Sequence, residues 1–106
     1  MNMDKELNRL PAHPGEVLKE ELESRGISQK AFAECIGVSH TMLNEILNGK
    51  RPVTSDFALL VEAALGIDPE LLVNMQTRYN MIQARLKPSL ANRIEEIKKI
   101  AASIVL

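Results

Sequence analysis

The sequence has no tryptophan, one tyrosine and two phenylalanines. Its core must therefore be built from Leu, Ile, Val, Ala and Met rather than from aromatic rings. The single cysteine, Cys35, excludes an internal disulfide and has no companions for a metal site. At its mid-helix position a small, partly buried thiol is expected. No apolar run approaches the ~20 residues of a membrane span, and the start MNMDKELNRL lacks a secretory hydrophobic region. A cytoplasmic protein with no membrane partner is expected. Strand-type alternation is absent, as are a Gly-rich phosphate loop and an HExxH helix. With two histidines, catalytic groups are few, and Glu34 and Glu45 read as solvated helix carboxylates. No enzyme, cofactor or metal is predicted.

Positive charge is also short. The net charge is −1, whereas a nonspecific nucleic-acid binder usually has a basic footprint. Its distribution is uneven. Residues 1–27 carry four basic and six acidic groups (net −2), and residues 56–84 carry one and four (net −3). Residues 28–55 carry Lys30, Lys50 and Arg51 against Glu34 and Glu45, net +1, and residues 85–106 carry five against two, net +3. Binding to a polyanion would rest on a few placed contacts and on duplication, not on bulk attraction.

What is present is helix-forming: 106 residues, 45% hydrophobic and 25% charged, suit one all-α domain. Residues 1–12 read as a flexible arm. Pro14 opens a first helix with Glu16 in its first turn, Val17, Leu18 and Leu22 on its apolar side, and Gly26 at its end. His13 reads as a surface or capping residue. Ser28 caps a second helix, Ser39 a third, and Thr54 or Ser55 a fourth, whose apolar face is expected at Phe57, Leu60, Val61, Ala64 and Leu65. Asp68-Pro69-Glu70 starts a fifth. Along it Leu72, Met75, Tyr79, Ile82 and Leu86 alternate spacings of three and four. This seam serves either the domain's own core or a dimer interface. Pro88 breaks it, and a sixth helix from about Ser89 carries Leu90, Ile94, Ile97, Ile100, Ala101 and Ile104 on one side.

The stretch Gln29–Asn48, QKAFAECIGVSHTMLNEILN, organises the rest. Phe32, Ala33 and Ile36 give the second helix an apolar face, and Leu43, Ile46 and Leu47 give one to the third. Gly37 stands at the turn, where positive φ costs little. Small, turn-forming and buried residue types recur in the register of a DNA-binding helix-turn-helix, whose second helix enters the major groove. The positions left outward are His40, Thr41, Asn44 and Asn48. Asn can bond an adenine edge twice, and Thr and His can donate to a base or phosphate; no Arg on this face offers a bidentate guanine contact. An A·T-leaning site follows. Gln29 and Ser39, at helix N-termini, and Lys50 and Arg51, just past the third helix, are candidate phosphate contacts.

Residues 10–86 resemble a HigA-type antitoxin of the phage-repressor-like (XRE) helix-turn-helix superfamily. The specific elements are His13-Pro14-Gly15-Glu16, the run from Asn44-Glu45-Ile46 to Asn48-Gly49-Lys50-Arg51, and Asn74-Met75-Gln76-Thr77-Arg78-Tyr79. Where the family commonly carries Arg early in the recognition helix, this chain has His40 and Thr41. The resemblance implies a five-helix repressor-like domain over 13–86, with 87–106 as an additional helix for dimerisation, partner contact or stability. It also implies a homodimer that binds operator DNA, represses its own toxin–antitoxin operon and neutralises a HigB-type, mRNA-cleaving toxin. A stand-alone regulator without a toxin and a helical protein-interaction module are the alternatives.

Overall fold

A computed structural model describes residues 12–105. The expected N-terminal arm lies, apart from Ala12, outside the described residues. Among those described there are six helices and no strand: α1 (Pro14–Ser24), α2 (Gln29–Ile36), α3 (His40–Leu47), α4 (Ser55–Leu65), α5 (Pro69–Arg85) and α6 (Pro88–Val105).

Each of the first five helices begins where a side chain can take a free backbone N–H. Ser28 Oγ accepts from Ala31 N at 3.1 Å, Ser39 Oγ from Met42 N at 3.0 Å, Thr54 Oγ1 from Phe57 N at 3.1 Å, and Asp68 Oδ1 from Glu70 N at 3.0 Å. Such caps contribute ~1 kcal/mol each. α2 ends on Gly37 at φ 76°, the left-handed conformation that lets α3 turn back across it. Arg25, at the end of α1, donates from Nη1 to the Leu65 carbonyl at 3.1 Å. It thereby caps the C-terminus of α4, where a cation is favoured.

The core unites Leu18 and Leu22 of α1, Phe32 and Ala33 of α2, Leu43, Ile46 and Leu47 of α3, Val53, then Phe57, Ala58 and Val61 of α4, and Leu72 of α5. α4 differs from the sequence expectation. Ala58 is buried, while Leu60 is 40% exposed and Ala64 is exposed. The α-carbon stripe i, i+3, i+4 fits either orientation, and the small Ala58 lets α4 turn that side to the core. Cys35 is exposed rather than partly buried, because Phe32, Ala33 and Ile36 take the inward face of α2. α6 starts at Pro88, suited to a first helical position. It packs on α5 and leaves Ile97, Ile100 and Ile104 more than half exposed.

The α5 seam is divided between inside and outside. Leu72 is 1% exposed and belongs to the domain's own core, so it offers a partner nothing. Met75, Tyr79 and Ile82 are half-buried, and only Leu86 is fully on the surface. Burial of the seam's first residue follows from the contact of α5 with α4.

The start of α1 is the tightest junction. His13 is not a surface residue: it is 4% exposed and caps α1 from within. Its Nδ1 accepts from Gly15 N at 2.9 Å, while its own N–H donates to Glu16 Oε2 at 3.2 Å, a reciprocal cap. The imidazole stands edge-on to Tyr79 of α5, with centroids 5.0 Å apart. Gly15 is buried against the last turn of α3, where an added Cβ would run into the Ile46 carbonyl. Backbone blocks relief on that side, so overpacking at the upper end of the usual ~1–3 kcal/mol is predicted for Gly15→Ala. Urea unfolding with an unchanged midpoint would contradict it.

Burial lowers the His13 pKa from its ordinary 6.5, opposed by the Glu16 carboxylate. Because the folded state holds fewer protons than the unfolded one just below that value, stability should fall as pH drops from 7 through the mid-6 range. His13→Asn keeps a capping acceptor and cannot titrate there, so its melting temperature should change less with pH over that interval than the wild type's.

Candidate nucleic-acid interface

Ser28 and Ser39 fix where α2 and α3 begin, and Gly37 fixes the angle between them. Burial of Leu43, Ile46 and Leu47 then turns His40, Thr41, Asn44 and Asn48 outward, and all four are exposed. His40 and Thr41 make no side-chain hydrogen bond among the described residues, so their polar atoms are available to a partner. Ser39 Oγ accepts from the Met42 N–H, which leaves its own hydroxyl proton free to donate to a phosphate.

Gln29 and Asn44 are joined. Asn44 Nδ2 donates to Gln29 Oε1 at 3.2 Å, bridging the first residue of α2 to the reading face of α3. Asn48 Nδ2 donates to Asn44 Oδ1 at 3.2 Å and to the Asn44 carbonyl at 2.9 Å. A carboxamide has two donors and two acceptor sites, so each bond leaves Asn44 one of each. Its amide plane is fixed before any ligand arrives, and a bidentate adenine contact remains available to it. The link to Gln29 is not readable from either helix alone; a spacing of fifteen residues is local only once the turn is made.

Past α3, Lys50 and Arg51 diverge. Lys50 is exposed and forms no ion pair among the described residues. Arg51 folds back onto α3, donating from Nε at 3.0 Å and Nη2 at 2.7 Å to Glu45 Oε1. Glu45 is therefore not merely solvated, and a guanidinium lies beside the recognition helix although no Arg is encoded in it. The loop itself is held by Gln76, a residue that sequence reasoning passed over as part of a motif. Gln76 is 6% exposed; its Oε1 accepts from Val53 N at 2.8 Å and its Nε2 donates to Asn80 Oδ1 at 2.8 Å. A polar residue at an inward position of α5 was the available signal. Together these residues form a projecting helix with a pre-set polar face, flanked by one free and one paired cation.

The comparisons agree with this geometry. A helix-turn-helix family model matches residues 18–72, from the middle of α1 into α5. Antitoxin HigA-1 of Vibrio cholerae is 37% identical over 92 residues, covering 86% of this chain and 81% of that protein. This chain belongs to the HigA-type antitoxins of the XRE helix-turn-helix family. Virulence-associated protein I of Dichelobacter nodosus is 37% identical over 101 residues, or 93% of this chain and 94% of that one. Pseudomonas aeruginosa HigA, solved with the higBA promoter, superposes with a TM-score of 0.71 at 29% identity, covering 81% of this chain and 92% of that chain. The family is one of DNA-binding regulators rather than an enzyme class. Among the described residues no helix is long and apolar enough to cross a membrane.

The Glu45–Arg51 pair generates a test. With side chains 39% and 48% exposed, it adds little to stability but keeps Arg51 half-neutralised. Glu45→Gln should therefore raise affinity for non-operator DNA and steepen the salt dependence by about one counterion. Fluorescence titrations at several salt concentrations measure the slope, and a slope equal to wild type would show that Arg51 already reaches phosphate.

Proposed function

We propose that the protein is a dimeric operator-binding repressor and the antitoxin of a HigB-type toxin, acting in the cytoplasm, where the operator and the toxin's mRNA substrate are found. The observation that carries this is the Gln29–Asn44–Asn48 network, a polar reading surface ordered in advance on a helix-turn-helix. The promoter-bound Pseudomonas relative supports the choice of DNA as ligand.

Gln29 holds a phosphate through its free Nε2 and the α2 N-terminus, and through its oxygen it holds Asn44 in register. His40, Thr41, Asn44 and Asn48 address base edges in the major groove, while Lys50 sets orientation from the backbone. One copy, with little surrounding positive charge, binds weakly. Two copies related by a two-fold axis place their α3 helices about 34 Å apart, one turn of DNA, on a palindromic operator. Met75 and Ile82, half-buried, with exposed Leu86 and the apolar side of α6, are the surfaces from which such a dimer is built; Tyr79 is turned toward His13 instead. Toxin neutralisation is carried by the family relationship.

Asn44 and Lys50 separate the two kinds of contact. Asn44→Ala should cost on the order of 1–3 kcal/mol on the operator and relax preference at one base pair. Lys50→Ala should weaken operator and random DNA alike and reduce the salt slope by about 1. Binding titrations against a panel of single-base operator variants decide this; a wild-type base preference in Asn44→Ala removes Asn44 from base readout.

A further inference from the structure

We propose that the groove bounded by α1, the end of α3 and α5 is the docking site for an arginine-bearing cationic segment of the partner toxin. The assignment rests on the antitoxin reading. The groove has a volume of about 660 Å³, and one wall is the Glu16, Glu20 and Glu23 face of α1. These carboxylates share one helix face at spacings of four and three, so they repel one another. Lys19 is the one basic side chain, besides the neutral His13, among the lining residues. Glu20 and Glu23 make no ion pair among the described residues.

A second, independent feature points to a ligand. His13 lines the groove although it is 4% exposed. Accepting from Gly15 N at Nδ1 places the ring proton on Nε2. Nε2 has no partner among the described residues, yet no sealed-off side-chain nitrogen or oxygen is left unsatisfied there. The Nε2–H therefore opens into the groove, a fixed donor beside three carboxylates. Tyr79 and Gln83 complete the floor. The carboxylates suit a guanidinium, the Tyr79 ring suits its flat face, and the histidine N–H suits the carbonyl of the peptide that carries it. A protein that binds and cuts RNA must present cations to phosphates, and such a surface is complementary to this wall. DNA is not: although Asn48 and Gly49 reach the rim, phosphates are repelled by the same carboxylates. No group of three or more His, Cys, Asp or Glu suited to holding a metal ion occurs among the described residues.

The test is calorimetric titration of a purified HigB-type toxin, the product of whichever such gene neighbours this one, into wild type, the double variant Glu20→Gln/Glu23→Gln, and Glu95→Gln/Glu96→Gln on α6 as a control of equal charge change. The groove variant should bind toxin at least about tenfold more weakly, with the loss shrinking at high salt. The control should stay within about threefold of wild type, and operator binding by the groove variant should not weaken. His13→Asn, which keeps the cap but lacks the ring donor, should also lose toxin affinity, and that loss should persist at high salt. Equal toxin binding by wild type and groove variant, or an equal loss in the control, overturns the groove assignment. Weaker self-association of the groove variant would assign the groove to a second copy and overturn it as well. If wild type binds no toxin while still binding operator, the antitoxin reading itself fails and takes the assignment with it.

Discussion

The recognition helix is held from behind by a backbone-to-backbone approach. Gly15 in the first turn of α1 meets the Ile46 carbonyl near the end of α3, with no room for even a methyl group between them. His13 lies over Gly49 just beyond, and Tyr79 lies against His13. The start of the first helix, the end of the third and the middle of the fifth are therefore tied at one point. His40, Thr41 and Asn44 are exposed on α3 while Ile46 faces this junction, so its rigidity reaches them through one short helix. Leu18, Leu43 and Ile46, each fully buried, fill the space beneath.

Much of this architecture is written locally. Ser28, Ser39, Thr54 and Asp68 each sit two or three residues before the N–H they cap, and Gly37 stands where the left-handed turn is needed, so caps and turns are legible without a partner element. The features that escape a linear reading all join distant segments. Gln76 satisfies the Val53 N–H from 23 positions away. Arg51 finds Glu45 only because the loop reverses after Gly49. Gly15 looks like an ordinary residue of a helix start until α3 is laid against it. The orientation of α4 fails for a related reason: Ala58 and Leu60 lie on opposite sides of the helix, each beside apolar neighbours, and only the packing of the other helices selects the Ala58 side. The same holds for Leu72, whose spacing suits a partner as well as it suits the core.

Electrostatics and geometry divide the work of recognition. A chain with net charge −1 gains little from general attraction to a polyanion, and pairing Arg51 with Glu45 reduces it further. What remains is a small surface whose side chains are already oriented. Preorganisation of this kind lowers the ordering cost of binding and so favours sites that match over sites that are merely charged. The acidic wall of α1, next to the end of α3, sharpens the boundary of the DNA-facing surface by making the neighbouring ground unfavourable to phosphate.

The hydrogen bonds from Asn48 to Asn44 and from Asn44 to Gln29 also bear on how relatives of this protein can diverge. His40 and Thr41 are exposed and support no other side chain, so either can be exchanged singly and a new operator sampled at little structural cost. Asn44 has no such independence. Replacing it deprives Gln29, on another helix, of its donor and leaves Asn48 only the backbone carbonyl of residue 44. In the proposed contact scheme, operator preference should therefore drift freely at the first two positions of α3 and in concert at 29, 44 and 48.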